Sequence, residues 1–457
     1  MIPAQDAVEL ALQSAARTSR CDETIVIVTD RSEASLRWAG NSMTTNGVAT
    51  SRSTAVISVV RSGDKAHVGA VCSSVVDPDA IDALVAAADQ AAHTAPEAHD
   101  SAPLLTGAGE PADWGDPVPG TGAGAFAEVA RALTAGFGRT DRLYGFAHHI
   151  VETTFLASST GLRRRFTQPT GSVEINAKRG QASAWAGIST PWFADVPVDG
   201  MLAELARRLD WANRSVELPA GRYETLMPPS TVADMMIYLG WSMDGRGAQE
   251  GRTALSAPGG GTRVGETLTD LPLTMYSDPY APGLECAPFV AAASSSERMS
   301  VFDNGMDIDR VDWIRDGTIA NLIYPRAAAT EFGAGAAVPA DNLLMTGGTK
   351  DLAEMVASTE RGLLLTTLWY IRTVDPTTLL LTGLTRDGVY LVEDGEITAA
   401  VNNFRFNESP LDLLRRAGEA GRPETTLPRE WSDWATRAVM PTLRIPDFHM
   451  SSVSQAQ

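Results

Sequence analysis

Residues 377–406 read TTLLLTGLTRDGVYLVEDGEITAAVNNFRF, and the two Asp-Gly pairs inside them, Asp387–Gly388 and Asp394–Gly395, decide how the second half of the chain is read. Asp-Gly favours the left-handed backbone that a tight antiparallel turn demands, and each pair here separates runs rich in Leu, Val, Ile, Thr and Tyr. This is the strongest hairpin signal in the sequence. From about residue 217 onward, short β-rich runs punctuated by glycine continue the pattern. Residues 217–457 are therefore expected to form a large, mostly antiparallel, β-rich C-terminal domain. Two stretches break the strand pattern with helical spacing: STVADMMIYLGWSM (230–243), with Ser230 as a candidate N-cap, and LAEMVASTERGLLLTT (352–367).

Working outward, AQDAVELALQSAART (4–18) spaces its apolar residues as a helix, and CDETIVIVTDRSEASLRWAG (21–40) runs β-branched or alternates. STAVISVVRSGDKAHVGAVCSS (53–74) is a hairpin candidate with SGDK (62–65) as its turn, and DPDAIDALVAAADQAAHTA (77–95) follows as a helix opened by Asp77. These elements make residues 1–100 an N-terminal α/β unit. Residues 101–123 are rich in Pro, Gly and Ala without either periodicity, and read as a linker. Residues 124–216 then form a middle helix-plus-strand region. Helices are expected at 125–137 and 198–215, flanking alternating antiparallel strands over 143–180. The predicted class is α+β.

At 457 residues the chain exceeds what one core usually supports, and 44% hydrophobic with 20% charged residues is a globular balance. A formal net charge of −19 repels a phosphate backbone, and Arg163–Arg165 beside a glycine turn is a small basic island, so nucleic acid is not an expected partner. Cys21, Cys72 and Cys286 are too far apart for a thiolate metal knuckle and read as free thiols. The start lacks a basic segment followed by an apolar one, and no later run could span a bilayer. A cytoplasmic protein without membrane contact is the expectation.

The chemistry-bearing side chains form no self-sufficient constellation. A helical zinc-hydrolase site takes two imidazoles aimed at one ion and a carboxylate for the bound water, and no His-Glu-x-x-His occurs. In HHIVE, His148 and His149 fall on opposite faces of an alternating strand, so only one of them shares a side with Glu152 or any other neighbour. His93, His99 and Asp100 sit at the head of the linker beside Pro96, where nothing pre-organises them. No serine lies in Gly-x-Ser-x-Gly, and the glycine clusters at 122–126 and 258–265 match neither phosphate-binding fingerprint. The carboxylates Asp303, Asp307, Asp309 and Asp312 lack the closing Glu of a calcium loop, and with Asp244 and Glu250 read as polar turns.

An ordered set of strings adds a further reading. MIYLGWSMDGRGAQEGRTALS (236–256), VGETLTDLPLTMYSDP (264–279), NLLMTGGTKDLAEMVASTERGLLLT (342–366), VEDGEITAAVNNFRF (392–406) and MPTLRIPDFHMSS (440–452) resemble the TldD/PmbA family, also called modulators of DNA gyrase. LASSTGLRRRFTQPTGSVEINAKRG (156–180) resembles the family more loosely. One branch, TldD, carries His-Glu-x-x-x-His on a helix, with a late cysteine completing a zinc site. The other branch, TldE or PmbA, lacks these residues and pairs with the first as a heteromeric protease.

With the shared glycine and the downstream EGRT as anchors, the first His falls on Met236, the Glu on Ile237 and the second His on Trp241. After Cys286 there is no cysteine for the third ligand. The resemblance therefore implies a TldE/PmbA-like subunit with no catalytic residue, metal ligand or cofactor of its own. Zinc is expected in a TldD-like partner subunit, and the substrate is expected to be a peptide or unfolded protein. Trp241 is a candidate peptide-groove residue. Two alternatives remain: a stand-alone metallopeptidase using His148 or His449, and a homo-oligomeric peptide-binding scaffold, with a homodimer possible for the chain alone.

Overall fold

A computed structural model describes residues 2–63, 65–74, 78–107, 109–139 and 141–454. The first half is built on six strands: β1 (Glu23–Trp38), β2 (Met43–Ser62), β3 (Lys65–Ser73), β4 (Arg142–Ser158), β5 (Arg163–Arg179) and β6 (Ala182–Ser189). Every neighbouring pair is antiparallel, in the order β3-β2-β1-β4-β5-β6. Long twisted strands curl this sheet into a half-barrel. The ladder between β1 and β4, from Ile25 opposite Ser158 to Trp38 opposite Gly145, joins strands from both sides of residues 101–123. Asp64 of the SGDK turn, Asp77 of the helix start and Ala108 of the 101–123 stretch lie outside the described residues.

Alternation sorts the two faces of the sheet. On one face Val26, Val28, Val56 and Phe155 pack beneath α1 (Ala4–Thr18) and α2 (Pro78–Thr94). Further along it, Ala34, Leu36, Trp38, Val173 and Ile175 take α3 (Ala127–Gly136) and α4 (Val198–Trp211). The intervening residues Ile25, Ile27, Ile57 and Leu156 point the other way and meet Phe289, Val301 and Phe302 of the second half. Residues 101–123 run over the surface without regular strands, yet they bury Leu104 and Trp114, the latter edge-on to Phe155 at 5.2 Å.

In the second half the strand Ala438–Val453 is the hub, pairing with Gly221–Met227, Leu343–Met345, Phe404–Glu408 and Glu419–Thr426. The resulting fourteen-stranded sheet is antiparallel except at three short pairings. Helix α5 (Pro229–Trp241) lies in its core, with Met235, Met236 and Leu239 packed among residues such as Phe404, Phe406 and Phe448. A short α6 (Gly245–Gln249) follows, capped by the Asp244 carboxylate accepting from Gly247 N–H at 3.0 Å. The α+β class, the N-terminal α/β unit and the large β-rich C-terminal region are thus observed as expected.

Three local readings change. Asp394–Gly395 closes a hairpin between Val389–Glu393 and Glu396–Val401, with φ of 49° and 81°. Asp387–Gly388 turns the chain but closes no hairpin, because the preceding strand Leu380–Thr385 pairs with Leu368–Asp375 and Phe404–Glu408 instead. There the Asp387 carboxylate is claimed by Ser183 and Arg429, which direct the turn toward the first half. Of residues 352–367 only Leu352–Ala357 is helical, started by an Asp351–Glu354 capping box; Arg361–Leu365 is a buried strand between Gly221–Met227 and Val389–Glu393. Ser230 is no N-cap, since the Pro228–Pro229 pair starts the helix earlier, and its hydroxyl donates to Leu427 O at 2.9 Å.

Candidate functional site

Helix α5 ends at a cleft between the halves. Ile237 and Trp241, one turn apart on the same face, line this cleft of about 450 Å³ together with Gly240. Met236 points elsewhere, 1% exposed in the C-terminal core. The structure thus brings two of the three singled-out positions to one surface and separates the third from them. Trp241, 40% exposed, packs edge-on to Trp431 at 4.9 Å and to Tyr238 at 5.6 Å. This triad stiffens the rim, with large aromatic area held in one orientation.

The opposite wall comes from the sheet face that alternation leaves free of helices: Glu152 and Thr154 of β4, Phe166 and Gln168 of β5. Gln168 ties the walls together, accepting from Ala287 N–H at 2.8 Å and donating to Asp341 Oδ2 at 2.9 Å. Arg437 completes the brace, donating to Asp341 at 3.1 Å and to Pro169 O at 2.6 Å. Past Glu152, Gln168, Asp341, Trp434 and Arg437, which line both, the cleft continues into a second of about 380 Å³ beside His148 and Glu174. Trp434, 76% exposed, stands over this junction.

Several charges in or near the cleft are displaced from ordinary behaviour. Burial pushes the Glu174 carboxyl upward against the Trp185 hydrogen bond, and partial desolvation in the cleft does the same, against the Arg437 charge, for Asp341, whose side chain is still 58% exposed. Arg298 lines the cleft and donates to Gly240 O, at the end of α5, at 2.7 Å. Among the described residues no carboxylate forms an ion pair with Arg298, and burial lowers its pKa to about 10, against the weaker field of Asp244. It stays charged at neutral pH. Behind the wall, Asp234 of α5 is wholly buried: Oδ1 accepts from Glu430 N–H at 3.0 Å, Oδ2 has no partner, and burial pushes its pKa well above the carboxylate range. With one oxygen unpartnered and burial favouring the protonated form, this carboxyl is a packing element of the helix.

The candidate histidines do not converge. His148 lies in the second cleft, 3.7 Å from Glu33, with its pKa lowered by burial. His149 faces the helix side and hydrogen-bonds Thr121 Oγ1 at 2.7 Å. His449 lines a separate cleft with Arg416 and Asp447. Among the described residues no three His, Cys, Asp or Glu side chains group closely enough to hold a metal ion. No helix of the described residues is long and apolar enough to cross a membrane.

The family model for the PmbA/TldA metallopeptidase C-terminal domain matches residues 220–452, more than half of the chain. The chain belongs to the PmbA/TldD family. No protein of curated function matches its sequence. Among solved structures, TldE from Thermococcus kodakarensis superposes with a TM-score of 0.77 at 15% identity, over 97% of this chain and 99% of that one. A protein described as a modulator of DNA gyrase from Bacteroides thetaiotaomicron gives 0.76 at 13% identity, over 98% and 99%. Another so described, from Thermotoga maritima, gives 0.73 at 15%, over 97% and 99%. At these identities the likeness establishes a shared fold.

Within this PmbA/TldD chain the motif positions do not fit the zinc ion that the catalytic branch implies. A sec-butyl side chain and an indole line the cleft, a thioether is turned into the core, and the Arg298 guanidinium, bonded to Gly240 O in the same cleft, repels a cation. Reading the sequence alone missed Arg298, Asp341, Trp434 and Arg437. Each lies in a segment with no periodic signal, and only the docking of the two halves brings it to the cleft.

Proposed function

We propose that this chain is a non-catalytic, TldE/PmbA-like subunit of a heteromeric metallopeptidase, in which a TldD-like partner supplies the zinc. The carrying observation is the end of α5: Ile237 and Trp241 offer no lone pair, and Arg298 fills the neighbourhood with positive charge. Here the helix is kept for its packing. In the partner, zinc would polarise the scissile carbonyl and lower the pKa of the attacking water. This chain would shape the chamber and hold substrate.

The cleft supports a peptide as that substrate. It is long, joined to a second cleft, and walled by Trp241, Trp313 and Trp434, which offer contact area to varied side chains. A net charge of −19 favours neutral or basic segments at long range. Access by extended chain alone would select unfolded substrates without reading their sequence.

The test is co-expression with a family member bearing His-Glu-x-x-x-His. Cleavage of an unstructured peptide is measured for each chain and for the mixture, with metal content determined on each. Activity confined to the mixture, with zinc only in the partner, is expected. Stoichiometric zinc and peptidase activity in this chain alone would sink the reading.

A further inference from the structure

We propose that the Arg298 end of the cleft receives the C-terminal carboxylate of an extended peptide, with an apolar last residue seated against Trp241, Ile237 and Trp313. This rests on the reading of the cleft as peptide-holding and names what part of the peptide it grips.

The first argument is an unanswered charge. Among the described residues Arg298 has no ion-pair partner, and its hydrogen bond to Gly240 O uses one of five guanidinium N–H groups. A half-desolvated guanidinium is costly to keep unless something charged binds it, and its planar fork matches a carboxylate bidentately. Arg437 in the same cleft shows the contrast, being engaged by Asp341, Pro169 and Glu285 O.

The second argument is polarity along the cleft. Ile237, Val290, Trp313 and Ile323 belong to the first cleft alone, as Arg298 does, whereas Glu152 and Asp341 stand where it opens into the second. An anion is therefore favoured beside Arg298, whose charge is unanswered, over the junction, where Arg437 is already paired with Asp341 and Arg31 with Glu152, each at 3.1 Å. The continuation past the junction gives the rest of the ligand one way to run. A terminal carboxylate followed inward by neutral or basic residues meets both conditions, and an acidic side chain in mid-chain does not, because its backbone must leave in two directions.

The test is binding of a fluorescent unstructured peptide ending in Leu to the purified full chain, compared with the same peptide as its C-terminal amide and with an amide carrying an internal Glu. The free acid is expected to bind about tenfold or more tightly than either amide, the scale of a charge-assisted bond. Arg298→Gln should abolish that preference, and Arg298→Lys should keep part of it, since charge survives without the fork. Trp241→Ala should weaken all three peptides alike. Circular dichroism and melting confirm that each variant is folded, and a comparison at raised salt should narrow the acid preference.

Equal binding of acid and amide, or an unchanged preference in a folded Arg298→Gln, overturns the proposal, as does failure of the free acid to bind at all. The functional reading fails separately. A mixture that cleaves without any carboxylate preference removes this site and leaves the subunit role standing. An Arg298-dependent preference in a chain whose mixture cleaves nothing does the reverse.

Discussion

The seam between the two halves closes around Arg429 and opens around Arg298. Arg429 is 7% exposed, ion-paired with an equally buried Asp387, and held with its guanidinium 5.5 Å from the Trp185 ring of the first half and 5.4 Å from the Trp369 ring of the second. Thr367 and Asn176 accept further bonds at 3.2 and 3.4 Å. Arg298 has one carbonyl and a cleft. The side chain is the same; what differs is whether the fold supplies the counter-charge. Where it does, the arginine fastens the halves; where it does not, the arginine is left to receive something from outside.

The sharpest way to break this contrast is to remove Arg429. Arg429→Ala leaves the buried Asp387 carboxylate with only Ser183 and a longer ion pair to Arg386 at 3.5 Å, and should lower stability by about 3 kcal/mol, read as a large fall in the urea midpoint. Replacing Arg429 and Asp387 together by apolar residues should recover much of that, because no lone charge remains. A small loss in the single variant would show that Arg429 is no fastener.

An intermediate effect is expected at Asp234, the buried acid of α5. Its pKa is raised in the fold from 3.8, so the folded state holds this proton more tightly than the unfolded one. That contribution to stability is complete below the unfolded value and is lost as pH climbs from there through the raised one. Asp234→Asn keeps the acceptor for Glu430 N–H and removes the ionisation, so its stability should fall less between pH 4 and 7 than the wild type's. Parallel pH profiles of the two melting curves would refute this.

The smallest effect sharpens the comparison from the other side. Arg298→Ala loses one hydrogen bond and relieves a desolvated charge, so stability should change by less than about 1 kcal/mol. A loss as large as that of Arg429→Ala would make Arg298 structural.

Much of the fold was legible because it is carried by local periodicity. The apolar spacing of residues 4–18 and the alternation across 143–180 each specify an element without help from distant residues, and Asp394–Gly395 specifies its own turn. Asp387–Gly388 was read as the same signal and behaves differently, since Ser183 and Arg429, far off in sequence, claim its carboxylate. The candidate site was legible only along α5, where the pattern of the family could be laid over Met236, Ile237 and Trp241. Its floor, its far wall and its charge come from Arg298, Asp341 and β4–β5, and no local pattern reports that such segments will meet.

The ladder between β1 and β4 also bears on how the molecule is made. When β1, β2 and β3 emerge during synthesis, the inner edge of β1 has no mate, because β4 is still to come beyond residues 101–123. An uncovered edge rich in Ile and Val invites pairing with the wrong chain. Nascent molecules stalled before β4 should therefore be sticky, and a chaperone or slow growth at low temperature should raise the yield of intact protein.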